Sequence, residues 1–303
     1  MGFQTRGLAV RLGDERIRPE AGCNRSGPPD RADEESGGHP VTTESAELIQ
    51  SIQGREGWSV PAELLELGNR LGIDVIFDVG SRDGLEGRFL ARELNARELH
   101  TFEPVPLLAR ICRQNLIETP QKFKAVVNET VVSDRTGEVT FYPIDMEKSV
   151  TMVPGGNPGA SSLFRVNEAY PYEQLVQYEL TRPSITLDDY CRDNPVPDLL
   201  WMDTQGSEVL IFEGARGILP QVKIVFTEVC FKPVYHGQSL YWDIDAFLTE
   251  AGFRRVQVYF GKAGPKKRLR RWLTQRRFAQ HIPGRFWSKA PWYSEAMYVN
   301  ARL

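Results

Sequence analysis

From residue 73 onward, short runs of β-branched residues alternate with helix-length amphipathic segments. Parallel strands cannot be joined by tight turns, so this alternation specifies a parallel sheet with crossover helices on its faces. Residues 73–79 (Ile-Asp-Val-Ile-Phe-Asp-Val) predict a buried strand, and 85–95, with Leu85, Phe89, Leu90 and Leu94 on one face, a helix. A strand over 99–103, a helix over 105–117 and a strand over 124–132 follow. Ahead of them, 61–72 has leucines at 64, 65, 67 and 71, Pro61 in the first turn and Gly72 as a stop, which predicts one more helix. The stretch 137–184 is irregular, with a β-hairpin arm expected over 138–142. The alternation then resumes, with strands over 198–202, 222–229, 253–259 and 296–299 and helices over 207–217 and 244–251. The expected fold is α/β, a mostly parallel seven-stranded sheet with helices on both faces.

The chain of 303 residues carries a net charge of −3 with 41% hydrophobic residues, which excludes a disordered chain and a nucleic-acid polycation. It has no apolar run of about 18 residues to span a membrane. Cys23, Cys112, Cys191 and Cys230 form no C-x-x-C pair and the four histidines are dispersed, so no metal site is expected. Scattered thiols and the lack of a signal peptide point to the cytoplasm. Residues 1–45 hold only 11 hydrophobic residues against 11 Gly plus Pro, and are expected to be a disordered leader to a single domain over 46–303. That domain carries a basic insert, about 262–290. The 12 Lys and Arg between Ala251 and Ser294 meet no acid, which leaves −15 on the remainder.

The turn after the first strand, Asp78-Val-Gly-Ser-Arg-Asp-Gly84, is the first place to seek a ligand, because open α/β sheets bind beyond the carboxyl ends of their strands. Gly80 lets backbone approach a ligand closely and Gly84 permits tight helix packing. Glu103 ends the second strand, 23 residues after Gly80, where a carboxylate can accept both hydroxyls of a ribose. A dinucleotide fingerprint needs glycine at 80, 82 and 85, but Arg82 and Leu85 stand there. Asp78 beside a pyrophosphate would also repel it. S-adenosylmethionine, with an ammonium, a sulfonium and a ribose but no phosphate, fits this turn.

Further segments share one pattern: Thr101-Phe-Glu-Pro104, Val131-Val-Ser-Asp134 with Gly137, Ser161-Ser-Leu163, Ile185-Thr-Leu-Asp-Asp189, Leu200-Trp-Met-Asp-Thr-Gln-Gly-Ser-Glu208, Phe212-Glu-Gly-Ala215, Glu228-Val-Cys-Phe231, Tyr235-His-Gly-Gln238 and Ser294-Glu-Ala-Met-Tyr-Val299. Together with the glycine turn they resemble the FkbM-type methyltransferases, over about residues 70–300. The resemblance implies a Rossmann-like class I methyltransferase using S-adenosyl-L-methionine. It implies that Asp78, Gly80, Ser81, Gly84, Glu103 and Pro104 lie in the cofactor site, that Ser133 or Asp134 lies near the adenine, and that Asp203 faces the methyl-transfer centre. The family often has Val-Glu-Gly where Thr204-Gln-Gly206 stands here.

Methyl transfer to a hydroxyl needs alignment and a base. The candidate bases are Asp203, Glu228, in the apolar run 225–229, and His236, whose ordinary pKa suits the task. Residues 161–163 are expected to form part of a lid over the acceptor, and Tyr170, Tyr172, Tyr178 and Trp201 are candidates to stack on a sugar face. The acceptor expected from the resemblance is a small molecule or glycan, methylated on a hydroxyl of a sugar, glycan or secondary metabolite. The alternative is a methyltransferase-like binding or scaffold protein without activity, against which the retained Asp78, Gly80 and Glu103 speak. Residues 262–277 place Leu269, Trp272 and Leu273 on one helical face among many cations. That suits an anionic membrane surface and a peripheral location, while nucleic acid is disfavoured by the acidic balance of the rest.

Overall fold

A computed structural model describes residues 60–151, 156–259 and 292–303. The leader over 1–45 and the basic insert over 262–290, with its membrane-facing segment 262–277, lie outside the described residues.

The strands are β1 (Val75–Val79), β2 (Glu98–Phe102), β3 (Lys124–Asn128), β4 (Val131–Val132), β5 (Gly137–Phe141), β6 (Leu180–Ile185), β7 (Leu199–Met202), β8 (Ile224–Cys230), β9 (Phe253–Tyr259) and β10 (Tyr293–Asn300). The helices are α1 (Ala62–Leu71), α2 (Leu85–Glu93), α3 (Pro106–Arg113, continued by a π-turn over Gln114–Glu118), α4 (Leu187–Tyr190), α5 (Glu208–Glu213) and α6 (Tyr241–Glu250). Seven strands form one sheet in the order β3-β2-β1-β7-β8-β10-β9. All pairings from β3 to β8 are parallel, and β10 runs antiparallel between β8 and β9.

All five residues of β1 are buried, as a strand covered on both faces requires. Alternation divides them. Val75, Phe77 and Val79 join Leu200 and Met202 of β7 in a layer closed by α4, α5 and α6. Ile76 joins Leu99, Leu199 and Trp201 in the opposite layer, with Leu64 of α1 and Leu90 of α2. Trp201 lies flat on Phe226, with ring centroids 4.3 Å apart and planes 3° from parallel. It is 4% exposed, so it is core and not a sugar platform.

The irregular middle holds more order than its sequence suggests. Residues 124–132 split into β3 and β4, and β4 leaves the main sheet. It pairs with β6, which also takes β5 on its other edge, as a separate three-stranded sheet. The expected hairpin arm is therefore β5 paired antiparallel with a strand some forty residues downstream. Local periodicity cannot reveal a pairing set by where the intervening loop returns. The helix expected over 207–217 stops at Glu213, because Gly214 packs against the backbone of residue 133. A β-carbon at Gly214 would stand 2.3 Å from the Ser133 carbonyl oxygen. Among the described residues no helix is long and apolar enough to cross a membrane.

Candidate functional site

The strand order reverses between β1 and β7: the chain runs outward through β2 and β3, then returns to β1's other side. Such a switch point leaves a crevice beyond the carboxyl ends of the two strands. Gly80 and Asp203 face each other there, tied by the Asp203 amide donating to the Val79 carbonyl at 3.0 Å. Gly80 has φ +80°, and a β-carbon on it would stand 1.9 Å from the Asp203 carbonyl oxygen. Only glycine fits on both counts.

Two cavities meet at this point, sharing Gly80, Arg82, Gly159 and Asp203 in their walls. The first, about 490 Å³, is a slot whose apolar wall includes Phe102, Val131, Val132, Phe141 and Leu163, with Glu103 and Pro104 at its edge. The second, about 1020 Å³ including its open mouth, has Glu86, Glu173, Asp203 and Glu228 in its wall, with Gln205, Tyr235, Tyr170 and Tyr293.

Glu103 is 5% exposed. Its Oε2 accepts from the Arg82 amide and its Oε1 from the Val105 amide, each at 2.9 Å. Burial pushes its carboxyl up to about 8 against the pull of those two N–H groups. Each oxygen keeps a second lone pair for a hydroxyl donor. Asp78 lies behind this surface and lines neither cavity. Its Oδ2 accepts from the Ser81 hydroxyl at 2.6 Å, and its carboxyl lies against the first turn of α2, where a β-carbon on Gly87 would clash at 2.5 Å. Burial raises it to about 7 despite the Ser81 bond, helped by the nearby charges of Glu86, Asp83 and Asp203.

Asp203 opens onto the cavities, but protein crowds it, and that desolvation raises its carboxyl to about 6. The Gln205 amide opposes the shift by donating to its Oδ1 at 2.5 Å. Glu228 is raised well above the carboxylate range, first by burial and then by Asp203, Glu208 and Glu295. Glu208 accepts from Thr204 Oγ1 and the Gly206 amide, and burial still lifts it to about 7.

Of the expected cofactor residues, the folded chain brings Gly80, Ser81, Glu103 and Pro104 to the cavity walls. Asp78 and Gly84 stand one layer back; Gly84 makes room for Leu116, 2.8 Å from its missing β-carbon. Ser133 and Asp134 line neither cavity. The Ser133 hydroxyl donates to Asp134, which pairs with Arg135 outside, and the preceding Thr130, Val131 and Val132 form the slot wall instead. Of the expected bases, Asp203 and Glu228 share the second cavity. His236 does not; it is exposed and pairs with Glu168 at 2.9 Å. Its neighbour Tyr235, 1% exposed, points inward with its hydroxyl 2.8 Å from the Ala160 carbonyl oxygen and 2.9 Å from Gln205 Oε1. Sequence reasoning passed over Arg82, Gln205 and Tyr235, although all three stand inside the quoted motifs. The 161–163 segment runs between the cavities: Ser161 and Leu163 line the slot, while Gly159 belongs to both. Tyr170 lines the second cavity and Tyr172 meets the Tyr170 ring edge-on, but Tyr172 and Tyr178 line neither cavity.

The model of the FkbM methyltransferase domain matches residues 78–255, which run from the carboxyl end of β1 through β7 and include the walls of the second cavity as far as Tyr235. The chain belongs to the FkbM methyltransferase family. Its seven-stranded, mostly parallel sheet is Rossmann-like and, with the family match, that of a class I methyltransferase. Among FkbM relatives, the 2-O-methyltransferase NoeI of Sinorhizobium fredii is 27% identical over 54% of this chain and 66% of its own length. The 31-O-demethyl-FK506 methyltransferase FkbM of Streptomyces tacrolimicus is 28% identical over 52% of this chain and 65% of its own. The matches thus span just under two thirds of these relatives. The crystal structure of methyltransferase FkbM from Methylobacillus flagellatus aligns over 75% of this chain and 43% of that one, with 12% identity and a TM-score of 0.44.

Proposed function

We propose that the chain is an S-adenosyl-L-methionine-dependent O-methyltransferase acting on a hydroxyl of a sugar, glycan or secondary metabolite. One observation carries this reading: an apolar slot edged by a buried carboxylate meets a carboxyl-lined cavity at Gly80 and Asp203. The residues fit the cofactor. Glu103 offers two oxygens with spare lone pairs to a ribose diol. Phe102, Val131, Val132, Phe141 and Leu163 exclude water around a flat base. Gly80, in the wall of both cavities, lets the ends of β1 and β7 approach without a side chain between them. The cofactor supplies, when bound, a methyl group on a sulfonium, already a good leaving group.

The protein's share is then alignment and proton removal. Asp203, at about 6, is largely ionised at neutral pH and takes the proton of an acceptor hydroxyl in the second cavity. Glu228, whose carboxyl is raised well above its ordinary value by burial and the neighbouring acids, lines the same cavity and hydrogen-bonds a neighbouring oxygen of the acceptor. Tyr170 and Tyr293 offer aromatic surface to a sugar ring. The relatives named as O-methyltransferases support a hydroxyl acceptor, and the run of Lys and Arg over 262–277, with no acid among them in the sequence, supports transient residence at an anionic membrane.

The test is calorimetry with S-adenosylmethionine and with NAD, followed by mass spectrometry of extracts incubated with an isotopically labelled methyl donor. Binding of the first cofactor alone and a mass shift on a hydroxylated product are expected. NAD binding, or cofactor binding with no labelled product, defeats the reading.

A further inference from the structure

We infer that Gln205 is a positioning residue of the acceptor cavity, its side-chain amide holding the Asp203 and Glu228 carboxyls toward one void and tying both to the Tyr235 hydroxyl. The inference rests on the methyltransferase reading for the purpose of that arrangement.

The geometry is economical. An amide nitrogen has two hydrogens, and here each meets a different carboxyl: Asp203 Oδ1 at 2.5 Å and Glu228 Oε2 at 3.3 Å. The amide oxygen accepts from Tyr235 at 2.9 Å. One side chain therefore joins the end of β7, β8 and the segment beyond β8. A glutamate in its place would set three carboxyls together with no hydrogen to share unless one were protonated.

The backbone gives a second observation. Gln205 has φ +53°, a left-handed conformation that strains a residue with a β-carbon and persists only where surroundings enforce it. Ser162 donates to its carbonyl oxygen at 2.8 Å, and the next residue, Gly206, has no room for a β-carbon beside Gln238. Among the described residues only Arg82, Asn95 and Gln205 share this conformation without being glycine, and two of those three line the second cavity.

The other charges at the pair are fixed by different elements. Glu86 of α2 and Arg82 of the β1–α2 turn act on Asp203, while Asp203 itself, Glu208 of α5 and Glu295 of β10 act on Glu228. The groups that in turn feel Glu228 are Cys230, Tyr170, Tyr235 and Tyr293. Of these groups Tyr235 alone is bonded to the Gln205 side chain, so in Gln205→Met a displaced titration reports the lost amide, and in Gln205→Glu the lost donor together with an added carboxyl.

The experiment compares wild type with Gln205→Met, which keeps the length without donors, and Gln205→Glu. Labelled methyl transfer to a panel of methyl glycosides is followed against pH, with affinity for S-adenosylhomocysteine measured in parallel. Carboxyl carbon resonances of the ligand-free proteins are titrated as well. We expect the acid limb of the rate to rise by about one pH unit or more in both variants, the Asp203 resonance to move with it, and cofactor affinity to hold. An unmoved limb and an unmoved resonance overturn the inference. Should Gln205→Met fail to fold, Gln205→Asn, too short to span both carboxyls, carries the same test. If wild type methylates no glycoside, the acceptor reading fails by itself. The resonance then decides alone: displaced in the variants it supports the inference, unmoved it overturns it.

Discussion

The carbonyl oxygen of Asp203 lies 1.9 Å from where a β-carbon on Gly80 would stand, so the ends of β1 and β7 touch through bare backbone. Gly80→Ala therefore forces the two strand ends apart and also strains a φ of +80°. The expected cost is about 2 kcal/mol or more, read by denaturant unfolding, with loss of cofactor binding by calorimetry. A variant as stable as wild type that binds normally would show that the contact is slack.

The pH dependence of the ligand-free protein has a definite sign. Burial holds Asp78 at about 7 and Glu103 at about 8, above their ordinary values of 3.8 and 4.5. The folded chain binds more protons than the unfolded one across that interval. Its stability is therefore fullest below the ordinary values and is lost as pH rises through the folded ones. The melting temperature should fall between about pH 5 and pH 8, and Glu103→Gln should flatten the fall. A cofactor whose ribose favours the Glu103 carboxylate should bind with proton release near neutrality, detectable as a buffer-dependent calorimetric heat. Heats independent of buffer would remove Glu103 from the ribose contact.

Tyr235 and His236 are adjacent and separable. Tyr235→Phe removes the hydroxyl shared between Ala160 and Gln205 and should lower turnover by about tenfold or more. His236→Ala breaks only an exposed pair with Glu168 and should leave turnover near wild type. Asp203→Asn should be the most damaging of the three, by about 10²–10⁴ in turnover with cofactor affinity largely kept. Reversal of the His236 and Tyr235 effects would restore the histidine as base.

Trp201→Ala distinguishes core from platform. The ring is stacked on Phe226 within the sheet's packed layer, so its removal should cost about 3–5 kcal/mol of stability. Apparent acceptor affinity in the folded fraction should not change. Steady-state kinetics beside thermal melts would show it, and a rise in acceptor KM without destabilisation would contradict the packing.

The strands of the main sheet were legible because each is a short β-branched run between turn residues, and Phe253–Tyr259 falls on its expected bounds. Gly80, Glu103 and Asp203 were legible for a related reason: a strand's carboxyl end is fixed by the strand itself. The second sheet was not, since β5 and β6 meet only after some forty residues of loop. Ser133 and Asp134 were expected in the site because they follow a motif strand. The departure of β4 from the main sheet turns them away, and β4 itself supplies the wall. His236 looked like a base on its chemistry alone, but Gln238 accepts from the Val234 and Tyr235 amides, and in that bend it is Tyr235 that faces inward.

The sequence by itself determined the strand alternation, the glycine turn and the acids at strand ends, because those depend on neighbours a few residues away and on residue chemistry. Tertiary structure alone decided which acids share a cavity and what holds them. Asp203 and Gln205 follow β7, Glu228 lies on β8 and Tyr235 beyond it, and the titration of the acids depends on burial and on charges brought near only when the sheet closes. Proximity across a sheet is a property of packing, and no local pattern encodes it.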